Sequence, residues 1–124
     1  MTMSKRVLII EDNNVLATVY RSSLCQAGFN VSVAYDGQAG LDQVAKFSPD
    51  LIVLDLMLPK VDGLEVLRRI RSDQARAALP IIVFSNSYTS DRTQECWNAG
   101  ATQVVVKASC PPKQLVQIVG SSLS

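Results

Sequence analysis

The sequence predicts an α/β domain in which helices cover both faces of a doubly wound, five-stranded parallel sheet. Short apolar runs rich in β-branched side chains recur along the chain, as in strands buried on both faces. Longer stretches with helical spacing separate these runs. Strict alternation of strand and helix is typical of a doubly wound sheet with right-handed crossovers. The length of 124 residues suits one domain.

The predicted strands carry no charged residue, so we expect each of them to be buried on both faces. They cover residues 7–10, 31–34, 51–54, 81–84 and 104–106. Pro80 opens the fourth strand, where a missing amide donor is tolerated.

The helices between the strands are predicted from apolar stripes and from residues that start or end helices. The stripes are Val15, Val19 and Leu24 in the first helix, Leu64, Leu67 and Ile70 in the third, and Leu115, Ile118 and Val119 in the last. Gly28 and Gly100 suit a left-handed residue after a helix. Asp62 is a predicted N-cap, and the prolines at 111–112 suit the first turn of the last helix.

Composition excludes several classes of protein. The net charge is +1, from 12 basic and 11 acidic residues, which predicts no nucleic-acid partner and no membrane surface. The chain is 48% hydrophobic and 19% charged, so it is not a disordered segment. It has neither the ~18-residue apolar run of a membrane span nor a signal peptide, and we expect it to be cytoplasmic.

The chain has no histidine, which excludes a Ser-His-Asp triad, a histidine metal ligand and a phosphohistidine on this chain. The three cysteines, Cys25, Cys96 and Cys110, form no Cys-x-x-Cys pair, so we expect reduced thiols and no zinc ribbon. Any chemistry must therefore come from carboxylates, hydroxyls and lysines.

Such side chains follow four of the predicted strands. Glu11 and Asp12 come after the first strand, Asp55 after the third, Ser85 after the fourth and Lys107 after the fifth. Ligands bind at the carboxyl ends of strands in doubly wound sheets, and these residues converge there if the strand order is 2-1-3-4-5. Individually, the run Glu-Asp-Asn at 11–13 would equally serve as a helix cap, and the serine and lysine as ordinary loop residues. Asp55 is harder to explain structurally, because an unpaired buried carboxylate is costly.

Three crowded carboxylates indicate a hard divalent cation, and Mg²⁺ prefers oxygen ligands. A carboxylate beside Mg²⁺ and Lys107 can act as a nucleophile toward phosphorus, because both cations neutralise charge on the transferring group. The hydroxyl of Ser85 could then hydrogen-bond the phosphate oxygens. The sequence therefore indicates phosphoryl chemistry at this edge of the sheet.

Four segments resemble the response-regulator receiver domain of two-component signalling. They are Val-Leu-Ile-Ile-Glu-Asp-Asn at 7–13, Asp-Leu-Met-Leu-Pro-Lys-Val-Asp-Gly at 55–63, Val-Phe-Ser at 83–85, and the stretch from Gly-Ala at 100–101 to Val-Lys at 106–107. The resemblance implies a flavodoxin-like (βα)₅ sandwich with strand order 2-1-3-4-5. It implies one receiver domain over residues 4–122. Few residues follow the last apolar stripe, so we expect the stand-alone type without a separate output domain.

The resemblance also implies a role for each site residue. Asp55 would accept a phosphoryl group from a phosphohistidine on a histidine kinase or a histidine phosphotransfer protein. Asp12, Asp55 and the backbone carbonyl of Met57 would hold Mg²⁺, and Glu11 would act mainly through water. Lys107 would bridge to the phosphate.

Ser85 would move toward the bound phosphate. We expect self-phosphorylation and slow autodephosphorylation only, not an enzyme acting on outside substrates. Related aspartyl-phosphate hydrolases carry a second aspartate two residues after the nucleophile, where this chain has Met57. A flavin site is excluded because Glu11 and Asp12 would repel its phosphate.

Three residues depart from the family pattern. Ala108 replaces the usual proline after the lysine, Val104 replaces the switch aromatic, and Asn86 replaces a small residue. Phosphoryl binding tolerates these changes more easily than signal relay does. They leave open an alternative in which the chain is a phosphorylation-insensitive pseudo-receiver that acts as a docking module.

Signalling would use the face formed by the fourth helix, the fifth strand and the fifth helix, which receivers commonly use. Trp97 and Val104 are the candidate residues for contact with a downstream protein or for a homodimer. The alternative for Trp97 is a side chain folded against its own helix. The chain could also be a receiver fragment of a larger signalling protein.

Overall fold

The computed structural model describes residues 4–86 and 90–123, in which five strands alternate with five helices. The strands are β1 (Arg6–Ile10), β2 (Asn30–Ala34), β3 (Leu51–Leu54), β4 (Ile81–Ser85) and β5 (Gln103–Val106). The helices are α1 (Asn14–Gln26), α2 (Gly37–Phe47), α3 (Gly63–Ser72), α4 (Ser90–Asn98) and α5 (Pro112–Leu123). Short 3₁₀ turns cover Gln74–Arg76 and Lys107–Ser109.

The strands form one parallel sheet in the order β2-β1-β3-β4-β5, which confirms the predicted fold class. Ile10 and Leu54, the last residues of β1 and β3, are level in the register. Ser85 and Val106 are likewise level at the ends of β4 and β5. The residues that follow these strands therefore leave the sheet side by side.

Successive strand residues point to opposite faces of the sheet and divide the core into two apolar layers. In β1, Val7 and Ile9 belong to the layer covered by α1 and α5, whereas Leu8 and Ile10 belong to the layer covered by α2, α3 and α4. The central strands β1, β3 and β4 are buried on both faces, as predicted.

The prediction that every strand is fully buried is wrong for the two edge strands. All four residues of β5 are half-buried, and Ala34 is the only buried residue of β2. Each of these strands has one neighbouring strand instead of two, so the helices cover it incompletely. An uncharged run of residues therefore does not distinguish an edge strand from a central one.

The predicted stripe of α1 is confirmed at Leu24 and wrong at its two valines. Val15 is 72% exposed and Val19 is 40% exposed, whereas Ala17, Tyr20 and Leu24 face the sheet. The ring of Tyr20 packs edge-on against Phe84, with 5.2 Å between the ring centroids. The small Ala17 and the large Tyr20 together fill the space beside the sheet, and this rotates the valines toward solvent.

The stripe of α3 is confirmed, and in α5 two of its three members are buried while Ile118 is half-buried. Gly28 and Gly100 adopt positive φ, as predicted. The side chain of Asp62 accepts a hydrogen bond from the amide of Leu64 and caps α3. The predicted cap over residues 11–13 is confirmed at Asn13, whose side chain accepts from the amide of Leu16 and caps α1, so the two acids before it are free for another role.

Candidate functional site

Three carboxylates meet at the carboxyl edge of the sheet. Glu11 and Asp55 follow the level ends of β1 and β3 and are only 3% and 5% exposed, whereas Asp12 is exposed. The amide of Asp55 donates to the carbonyl of Ile10 at 3.0 Å, which holds the two strand ends together. One carboxylate oxygen from each acid lies within 4.8 Å of the other two.

Lys107 brings the fifth strand into this cluster. Its Nζ donates to Oε1 of Glu11 and lies 3.4 Å from Oδ1 of Asp55. Its side chain is only 9% exposed. Lys107 opens the short turn after β5, and its peptide bond to Ala108 is trans, as are the others in the described residues.

Burial and charge oppose one another in the cluster. Burial raises the pKa of Glu11 and of Asp55 above the ordinary carboxyl values, because it disfavours the charged form. Contact with Lys107 acts in the opposite direction on the pKa of both acids. One ammonium therefore offsets part of the negative charge, and the carboxylates still favour a further cation.

The loop after β3 holds Asp55 through its backbone. The amide of Met57 donates to Oδ1 of Asp55 at 3.4 Å, and the Met57 side chain is 70% exposed. Gly63 begins α3 directly against this loop, because a Cβ at that position would lie 2.2 Å from the carbonyl oxygen of Asp55. Only glycine fits this approach without moving the backbone.

Ser85 ends β4 and is 2% exposed. It is level with Val106, so it lies beside the end of β5, which Lys107 follows. Asn86 follows it and is exposed. Four strands thus contribute a predicted site residue to the same edge of the sheet.

A groove of about 520 Å³ runs beside Asp12. It is lined by Asp12, Leu56, Met57, Leu58, Pro59, Asp62 and Arg92. The Nη2 atom of Arg92, from α4, lies 3.8 Å from Oδ1 of Asp62. Arg92 was not predicted from the sequence, although its place near the start of a helix at this edge was a usable signal.

The two residues predicted for the interaction face differ in exposure. Trp97 on α4 is 45% exposed. Val104 on β5 is half-buried and packs against the layer covered by α2, α3 and α4. The core therefore holds the side chain of Val104 in place.

The family model of the response regulator receiver domain matches residues 7–120. The chain belongs to this family. It is a receiver domain of two-component response regulators, and receiver domains bind Mg²⁺ at an acidic pocket.

Curated relatives of the receiver domain include response regulator ArlR of Staphylococcus aureus, which is 42% identical over 83 residues. This match covers 67% of the chain and 38% of the relative. ArlR of Staphylococcus haemolyticus is 42% identical over 82 residues, covering 66% of the chain and 37% of the relative. The chain thus spans less than two fifths of the length of these relatives.

Solved structures match the receiver domain over nearly its whole length. The chemotaxis response regulator CheY4 of Vibrio cholerae superposes with a TM-score of 0.90 at 26% identity, covering 98% of this chain and 100% of that one. A putative response regulator of Chloroflexus aurantiacus gives 0.90 at 28% identity, covering 98% of both chains.

The donor set of the receiver domain fits a hard divalent cation. Three carboxylates supply oxygen ligands within 4.8 Å of one another, and no histidine or thiolate is among them. No helix in the described ranges, 4–86 and 90–123, is long and apolar enough to cross a bilayer.

Proposed function

We propose that the receiver domain takes a phosphoryl group onto Asp55 from a phosphohistidine and then signals by contact with other proteins. The observation that carries the proposal is the nearly buried Asp55 carboxylate, 3.4 Å from the ammonium of Lys107 and grouped with two further carboxylates. These 124 residues contain no histidine, and we assign the donor phosphohistidine to a histidine kinase or a histidine phosphotransfer protein.

In the transfer, a carboxylate oxygen of Asp55 forms a bond to phosphorus while the bond from phosphorus to the donor imidazole nitrogen breaks. The imidazole leaves with the electron pair and can take up a proton. Lys107 offsets negative charge on the phosphoryl oxygens from a fixed position between Glu11 and Asp55. Ser85, at the end of the next strand, would donate a hydrogen bond to one of these oxygens.

Asp12, Asp55 and the backbone carbonyl of Met57 would hold Mg²⁺, and Glu11 would contribute through water. Bound Mg²⁺ supplies charge neutralisation at the phosphoryl oxygens. The exposed position of Asp12 supports this assignment, because a cation can reach its carboxylate from solvent without rearrangement of the core.

The test is phosphorylation of the purified chain by a small phosphodonor such as phosphoramidate in the presence of Mg²⁺, followed by intact mass. We expect one phosphoryl group on the wild type and on Asp42→Asn, which changes an exposed acid on α2. We expect none on Asp55→Asn. A folded wild type that gains no phosphoryl group would overturn the proposal.

A second candidate, a docking module that does not respond to phosphorylation, is favoured by Val104, Ala108 and Asn86. The core holds Val104 in place, and a valine cannot make the rotamer change of a switch aromatic. This candidate requires that a partner binds equally well with and without beryllofluoride. In both candidates we place partner contact on the face that includes Trp97, and we assign residues 4–122 to the domain.

A further inference from the structure

Arg92 is the one cation that lines the groove beside Asp12 in the described part of the chain. It lies in the first turn of α4, and its side chain is 30% exposed. Asp12 lines the same groove, and one of its oxygens is within 4.8 Å of an oxygen of Asp55. A guanidinium therefore shares a groove with the acid whose oxygen lies within 4.8 Å of the proposed phosphoacceptor.

The present partner of Arg92 holds it weakly. Nη2 of Arg92 lies 3.8 Å from Oδ1 of Asp62, which is longer than a hydrogen bond. Asp62 is 52% exposed, and its Oδ1 also accepts from the amide of Leu64 at 3.4 Å to cap α3. Exposed pairs of this kind contribute little to stability, so a stronger anion can displace Asp62.

A phosphoryl group on Asp55 would be such an anion. It brings a charge of roughly −1.5 to −2 and three acceptor oxygens. Guanidinium groups bind phosphate through two parallel hydrogen bonds, which are stronger than one long contact with a carboxylate. Lys107 is already engaged with Glu11 as well as Asp55, so it offsets only part of the added charge.

We propose that Arg92 exchanges Asp62 for the phosphoryl group on Asp55 and stabilises the phosphorylated receiver. This inference rests on the proposed function of Asp55. It assigns a second phosphoryl-binding cation to the chain, on the side of the site that faces the groove. Asp62 becomes a competitor for Arg92, in addition to its role as a helix cap.

The test is the affinity for beryllofluoride in Mg²⁺, a phosphoryl mimic, measured by ¹⁹F NMR titration. We expect Arg92→Gln to weaken binding about tenfold, which is the order of one charge-assisted hydrogen bond. Arg92→Lys should lie between Arg92→Gln and the wild type, because lysine cannot bind in a bidentate manner. Arg69→Gln is the matched control, since Arg69 pairs with Glu65 on α3 away from the groove.

Asp62→Asn gives the decisive comparison, because asparagine keeps the helix cap and removes the competing charge. We expect this variant to bind about threefold more tightly than the wild type, and to lose that gain in the Arg92→Gln background. A structural ion pair would instead make both single variants weaker.

Unchanged binding in Arg92→Gln, or weaker binding in Asp62→Asn, overturns the inference while the proposed function stands. If the wild type itself bound no beryllofluoride, the proposed function would fail and this inference with it. Lifetimes of the phosphoryl group on Asp55 give a second readout, which we expect to follow the same order of variants.

Discussion

The ammonium of Lys107, which follows β5, contacts Glu11, which follows β1. Two strands, β3 and β4, lie between β1 and β5, so the lysine side chain reaches past the ends of both. The same nitrogen lies 3.4 Å from Asp55. One lysine thus serves two nearly buried carboxylates that arise from distant parts of the chain.

Removal of this lysine should therefore destabilise the fold. We expect Lys107→Met to lower the free energy of unfolding by about 3 kcal/mol in EDTA, because it leaves two buried carboxylates without their cation. Urea denaturation checks this, with Lys113→Met, an exposed change on α5, as the control. Equal stability of the two variants would mean that solvent screens the acids.

Crowding of the carboxylates predicts the opposite effect for Asp12. In EDTA we expect Asp12→Asn to melt at a higher temperature than the wild type, because one of three repelling charges is removed. The difference should narrow as Mg²⁺ is added, since the cation stabilises the intact cluster. Thermal melts with and without Mg²⁺ measure both effects, and Asp42→Asn should show neither.

Tyr20 supplies a prediction at high pH. Burial, followed by the nearby charges of Glu11, Cys110 and Asp55, raises its pKa from 10.0 to about 12. The folded state then holds the phenolic proton more tightly than the unfolded state, so the protonated phenol stabilises the fold fully below pH 10. This stabilisation, about 2–3 kcal/mol in the free energy of unfolding, is lost as the pH rises toward 12.

We therefore expect the wild type to lose more stability than Tyr20→Phe between about pH 10 and pH 12. Urea denaturation at several pH values measures the difference, and phenolate absorbance reports the titration itself. Tyr35→Phe is the control, because Tyr35 is 47% exposed. A parallel decline of all three proteins would contradict the raised pKa.

Two glycines give a matched pair of substitutions. Gly63→Ala should destabilise the domain by at least about 2 kcal/mol and impair phosphorylation, since its Cβ would lie 2.2 Å from the carbonyl oxygen of Asp55. Gly120→Ala should stabilise α5 by about 0.5–1 kcal/mol, because a Cβ there has no atom within 4 Å. Chemical denaturation of both variants tests the contrast.

The strand–helix alternation and the strand ends were predictable because both follow from local patterns. The acids after β1 and β3 could be brought together from the topology alone, since parallel strands end at one edge. The inward face of α1 could not be predicted in this way. Val15 and Val19 have the required helical spacing, yet Ala17 and Tyr20 fit the sheet better.

Arg92 marks a different limit of sequence reasoning. Its contact with Asp62 depends on the rotation of α4 relative to the loop after β3, and neither charge belongs to a local pattern that encodes this rotation. Pairings between distant surface side chains are set by the packing of whole helices. The sequence therefore indicated the place of Arg92 near the start of α4 but not its pairing with Asp62.

Ile10 and Leu54 end β1 and β3 at the same level of the sheet, so strand pairing positions the acids that follow them. The spacing of Glu11 and Asp55 is set by the ladder that also holds the centre of the protein together, so the reacting groups share the stiffness of the sheet. A slip of one residue between β1 and β3 would turn one acid away from the other while leaving the chain compact. The relative position of Glu11 and Asp55 in the pocket therefore depends on the correct register between β1 and β3.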